Sequence, residues 1–113
     1  MTQKEFTKIK KISLRLRHQI LSGEIRFIGS DDFPVGCCGN VSQYYLINRM
    51  IDAGFKETVY VNGYCDKYNS HGWLEYKGYI IDITAEQFPE MKNDPIIIIK
   101  KGKSVFHKQF TKE

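Results

Sequence analysis

Two helical stretches followed by a series of short strands predict an α+β domain whose N-terminal helices pack on an antiparallel β-sheet. Three observations carry this. Apolar residues recur at three- and four-residue spacing over residues 2–22 and again over 39–53. Beyond Gly54 the pattern changes to β-branched and aromatic residues in short runs. Between two of those runs stands Lys77-Gly78, a two-residue hairpin signal. The 113 residues fit one domain, 1–113, which can bury a continuous core without disulfides or metals.

The first helix places Phe6, Ile9, Ile12, Leu16 and Ile20 on one stripe, with Lys4, Lys8, Lys11 and Arg15 on the other side. Thr2 and Glu5 have the spacing of a capping box, and Gly23 is the expected stop. Residues 24–37 carry loop signals: Gly29, Ser30, Asp31, Asp32, Pro34 and Gly36. The second helix, with Val41, Tyr44, Tyr45, Leu46, Ile47, Met50 and Ile51, is apolar over most of its surface, as a buried helix should be, and Gly54 ends it. Strands are expected over 58–64, 70–76, 79–84 and 95–100, and a last one over 104–110.

Composition narrows the function classes. Hydrophobic residues are 42% and aromatics 13%, an ordinary globular balance that argues against disorder. A net charge of +4 falls short of a nucleic-acid footprint, so nucleic acid is not an expected partner. The longest apolar run, Ile96 to Ile99, is too short for a bilayer, and the start lacks the apolar core of a secretory signal. Three cysteines, two of them adjacent at Cys37 and Cys38, do not make a disulfide framework. A soluble cytoplasmic protein is the expectation, with no membrane partner.

Cys38 stands where the loop enters the buried helix. Unsatisfied amides and the helix dipole favour a thiolate there, and the Cys38 N–H is itself a candidate oxyanion donor. Gly36 and Gly39 flank the cysteine pair and let a substrate approach closely. With Lys77-Gly78 as the loop, Tyr76 faces Tyr79 and Trp73 faces Asp82. His71, Trp73 and Glu75 then share a sheet face with Ile80, Asp82 and Thr84. His71 and Asp82 become diagonal neighbours, close enough for the carboxylate to orient the imidazole. An aspartate set among isoleucines needs such a partner. Cys38, His71 and Asp82 thus fit the pattern of nucleophile, base and orienter.

The segments Phe33-Pro-Val-Gly-Cys-Cys-Gly39, Ser70-His-Gly-Trp-Leu-Glu75 and Gly78-Tyr-Ile-Ile-Asp-Ile-Thr-Ala-Glu-Gln-Phe88 resemble the transglutaminase-like branch of the papain-like superfamily. That family has a Cys opening a buried helix, a His-x-Trp-x-Glu strand and an Asp-x-Thr on the next strand. The match covers roughly residues 33–88, half of the chain. The resemblance implies a papain/transglutaminase-like fold and a Cys-His-Asp triad of Cys38, His71 and Asp82. It implies acyl transfer on an amide of a protein or peptide substrate, as a cysteine peptidase, an amidase or deamidase, or a transglutaminase. A toxin or effector role is compatible with that chemistry. Two departures stand out. Gly72 replaces the more usual Ala, a change expected to be harmless, and the aromatic or amide side chain that completes the oxyanion hole has no clear match.

Cys37 is the rival nucleophile. Cys38 is preferred because it puts Ser42 and Leu46 one and two turns down the helix, closer to the family's rhythm. Cys65 reads as a spectator. A zinc site from Cys37, Cys38, Cys65 and His71 is disfavoured because adjacent cysteines lack the two-residue gap of zinc-binding pairs, so neither metal nor cofactor is expected. Trp73 is expected to shield the His–Asp pair and Glu75 to steady the neighbouring loop. His107 reads as a surface or sheet-edge histidine and His18 has no role. The alternative function is an inactive interaction module of the same fold that binds an acidic partner through the basic helix face or the tyrosine-rich sheet.

Overall fold

The Thr2 hydroxyl accepts the Glu5 N–H at 3.1 Å and the Glu5 carboxylate accepts the Thr2 N–H at 3.0 Å, so the predicted capping box starts the chain's first helix. This computed structural model describes residues 1–112. Helix α1, Gln3–Leu21, buries Ile9, Leu16 and Ile20 on the expected stripe, and Gly23 follows its end at φ +80°. The second helix covers the predicted stretch but changes winding. Gly39–Leu46 is π-wound, and Ile47–Asp52 (α2) continues it as α-helix. Gly54 closes it at φ +101°, with the Phe55 N–H returning to the Met50 carbonyl at 2.9 Å. The helix is less buried than its apolar composition suggests: Val41, Leu46 and Met50 face inward, while Tyr44 is 65% exposed.

Five strands form one antiparallel sheet: β1 (Val59–Cys65), β2 (Asn69–Tyr76), β3 (Tyr79–Asp82), β4 (Ile97–Lys100) and β5 (Thr111–Lys112), in the order β4-β3-β2-β1-β5. Lys77 and Gly78 both have positive φ, at 47° and 78°, as the twist of a two-residue hairpin demands. The resulting register pairs Tyr76 with Tyr79, as predicted. Strand β3 stops at Asp82 rather than Thr84 for a local reason. The Asp82 carboxylate takes the N–H groups of Thr84 and Ala85 and turns the chain out of the ladder.

The segment over 104–110 corrects the sequence expectation, because it is not a strand. Ser104 caps a single helical turn, α3 (Val105–Lys108), by accepting the His107 N–H at 3.3 Å. The four-residue step between the buried Phe106 and Phe110 has helical period, which was the readable signal. This segment carries the chain from β4 at one edge of the sheet to β5 at the other.

The sheet thus separates two clusters. On one side α1 and the second helix pack with Leu74, Tyr76, Ile81 and Ile83. On the other, Phe106 and Phe110 close over Val61, Trp73, Ile80 and Ile97. No helix among the described residues is long and apolar enough to cross a membrane.

Candidate active site

Neighbouring strands bring His71 and Asp82 together as the hairpin register requires. His71 comes from β2 and Asp82 from the end of β3, and both are fully buried. The His71 Nε2 lies 2.7 Å from Asp82 Oδ2, the length of a charge-assisted hydrogen bond. The other carboxylate oxygen, Oδ1, accepts the Thr84 N–H at 2.9 Å, the Ala85 N–H at 3.1 Å and the Thr84 hydroxyl at 3.3 Å. Burial alone would raise the Asp82 pKa, but the His71 charge and the hydrogen bonds from both imidazoles reverse that and hold it far below the ordinary carboxylate range.

The second imidazole belongs to His107, and here the sequence expectation is corrected. His107 is not a surface or sheet-edge residue. It is buried, its Nε2 lies 2.8 Å from the same Asp82 Oδ2, and its Nδ1 lies 2.5 Å from the Ser104 hydroxyl. The strand pattern concealed it, because 25 residues and a crossing of the sheet separate it from Asp82. The three side chains offer metal-ligand atoms within 4.8 Å of one another. Their 2.7 and 2.8 Å spacings are those of hydrogen bonds. Ligands on a common zinc at about 2.0–2.2 Å would stand farther apart, so the arrangement fits a proton network better than an ion site.

Cys38 sits immediately before the π-wound segment, at its N-cap. Its thiol meets the His71 ring and the Gly72 N–H. Burial opposes the thiolate most strongly, yet those two hydrogen bonds and the His71 charge outweigh burial and the repulsion of Asp82, and the thiol pKa falls below its ordinary value. For His71, burial disfavours the imidazolium, but the Asp82 charge and the bonds to Asp82 and Cys38 prevail, and its pKa is pushed up to about 9. Among the described residues the buried His71 Nδ1 has no hydrogen-bond partner; it is the ring nitrogen not engaged by Asp82, and Cys38 is the thiol next to the ring. The structure therefore brings Cys38, His71 and Asp82 together.

Cys37 has the opposite environment. Its side chain is buried, with the sulfur 3.4 Å from the Val35 carbonyl oxygen and 3.6 Å from that of Gly29. Burial, then the charges of Cys38 and Asp32, push its thiol pKa up. Cys65 lies at the end of β1, paired with Asn69, and takes no part in the network.

The surroundings keep water away from the buried pair. Phe88, Phe106, Phe110 and Trp73 all approach the His71 ring, with centroids 5.0–6.0 Å away. The Trp73 indole packs edge-on against His107 at 4.8 Å, a shielding position. Its N–H donates to Glu75 at 3.2 Å, and Glu75 also takes Lys101 and Lys112. Glu75 thus ties β2 to β5 and to the turn that follows β4. The loop that delivers the cysteines is anchored by Gln87, whose Oε1 accepts the Gly36 N–H at 3.3 Å. An Arg17–Glu86 ion pair adds a tie between α1 and the same turn.

Gly72 turns out to have a steric reason. A Cβ there would fall 2.0 Å from the Tyr60 hydroxyl, so the glycine is required by the tyrosine that crosses it. The Tyr60 hydroxyl also lies 3.4 Å from Asn62 Oδ1, which puts two polar side chains along the strand opposite Gly72.

No protein-family model, curated protein or solved structure matches this chain significantly. The chemistry of the site rests on its own geometry.

Proposed function

We propose that this chain is a cysteine hydrolase or acyltransferase acting on an amide, in a fold of the papain/transglutaminase-like kind. One observation carries the reading. The His71 ring is fixed on Asp82 through Nε2, while its buried Nδ1 has no conventional partner except the depressed thiol of Cys38. A structural core histidine would have both nitrogens satisfied by fixed groups.

This arrangement supports the following sequence of steps. The Cys38 thiolate attacks the amide carbonyl carbon, forming a C–S bond and placing negative charge on the carbonyl oxygen. The amides at the start of the π-wound segment, including that of Cys38, are the donors available to that oxygen. The C–N bond breaks as the His71 Nδ1–H protonates the leaving nitrogen, and a thioester remains. His71, now neutral, takes a proton from water as the water oxygen attacks the thioester carbonyl carbon; the C–S bond breaks, the acid leaves, and the Cys38 thiolate and His71 imidazolium are restored. An amine in place of water gives transamidation, and a glutamine side chain as the amide gives deamidation. Asp82 accepts hydrogen bonds throughout and keeps the ring's tautomer, remaining ionised.

Competitive alkylation tests the reading. Limiting iodoacetamide at pH 6, followed by peptide mapping, is expected to label Cys38 first and Cys37 last. Cys38→Ala should abolish turnover of peptide amides while leaving the fold intact. Labelling of Cys38 no faster than Cys65 overturns the enzyme and leaves an interaction module, for which the exposed lysines of α1 would be the place to look.

A further inference from the structure

A carboxylate that orients an imidazole has to be held itself. Thr84 and Ala85 hold Asp82 Oδ1, but among the described residues Oδ2 meets only the two rings of His71 and His107. These rings differ in how their other nitrogen is treated. That of His71 faces the thiol. That of His107 is engaged by Ser104, whose oxygen already accepts the His107 backbone N–H, so the hydroxyl hydrogen is left to point at Nδ1. Assigned from this network, the His107 proton sits on Nε2, where it is donated to Asp82. A donor in that place helps to fix the carboxylate on which His71 also rests.

We propose that His107 is a positioning residue of the acyl-transfer site: held in its Nε2–H tautomer by Ser104, it fixes Asp82 and thereby sets how well Asp82 supports the His71 imidazolium and the Cys38 thiolate. The inference rests on the reading of Cys38 as the nucleophile. It adds a fourth member, delivered by α3, to a set the two strands and the second helix begin. The titratable groups facing His71 are Cys38 from the helix start, Asp82 from β3 and His107 from α3. On its outer side His107 borders a cavity of about 110 Å³ that opens between Trp73, Ile80 and Phe110, with Glu75 and the lysines 101, 108 and 112 as its charged groups. The space that the ring fills is therefore reachable by a small solute once the side chain is removed.

The experiment follows Cys38 alkylation by iodoacetamide against pH in the full-length protein. His107→Leu should raise the midpoint of Cys38 reactivity by about one pH unit, so that labelling at pH 6 slows about tenfold. His107→Gln, which keeps an N–H donor, should stay within about twofold of the wild type, and Ser104→Ala, which frees the tautomer, should slow labelling about threefold. Millimolar imidazole should restore part of the lost rate in His107→Gly through the cavity and leave the wild type unchanged. A folded His107→Leu whose profile superimposes on the wild type overturns the proposal, as does a Gln variant as slow as Leu. Should His107→Leu fail to fold, Ser104→Ala decides, and a wild-type profile there overturns the proposal equally. Failure of the enzymatic reading is seen separately, in the unmutated protein, as Cys38 labelling no faster than Cys65.

Discussion

The two faces of the sheet solve burial in opposite ways. The face under the helices is closed by apolar volume: Ile9, Leu16, Leu46, Met50, Leu74 and Ile81 are each fully buried and ask only for contact. The opposite face buries His71, Asp82 and His107 just as deeply, and there each polar atom must be matched. Five donors converge on one carboxylate while four aromatic rings exclude water around it. The apolar face supplies cohesion that tolerates rearrangement. The polar face tolerates none, because removing one partner strands another in a dry environment.

Asp82→Ala should strike hardest. It leaves two buried imidazoles without their acceptor, and about 3–5 kcal/mol of stability should disappear in urea unfolding. A loss below about 1 kcal/mol would mean that the network is not holding the fold. On the apolar face, Ile9→Ala should cost about 3 kcal/mol through the cavity it opens, yet leave the pH midpoint of Cys38 alkylation unmoved. A moved midpoint would show that the two faces are coupled after all. Gly72→Ala comes next, at about 2 kcal/mol, from the clash with the Tyr60 hydroxyl, and replacing Tyr60 by Ala in the same chain should recover part of that loss.

The smallest effect concerns pH. His71 binds its proton more tightly when folded, so its contribution is complete below pH 6.5 and is lost as pH rises to about 9. The depressed thiol of Cys38 acts with the opposite sign: its contribution is present above the ordinary thiol value of 9.0 and lost as pH falls. In the wild type the two oppose each other across this window. Cys38→Ala removes the opposing thiol together with its share of the His71 shift and leaves the part due to Asp82, so as pH rises above 6.5 the variant should lose about 1 kcal/mol more than the wild type. Parallel stability curves would show that thiol and ring are not linked.

What the sequence made legible was local or governed by register. The Thr2–Glu5 cap needs three residues of context, and Lys77-Gly78 fixes the pairing that puts His71 diagonal to Asp82. Both are short-range signals that a chain displays openly. The end of β3 was misplaced by two residues because the Asp82 side chain competes for backbone donors, and that competition is invisible in a hydropathy pattern. His107 was hidden for a topological reason: no alternation announces that the chain from β4 will cross to β5 and lay an imidazole against Asp82. The fate of the two adjacent cysteines was half visible. Their position at a helix start could be read, but the carbonyls that enclose Cys37 come from a loop whose path only the fold defines.

Asp82 carries a last consequence. With five hydrogens directed at its two oxygens, the carboxylate is solvated by the protein about as fully as water would solvate it, except that these dipoles are built in and do not turn. In the proposed transfer of charge between sulfur and ring, little around the anion would have to rearrange, because the electrostatic work was done when the chain folded.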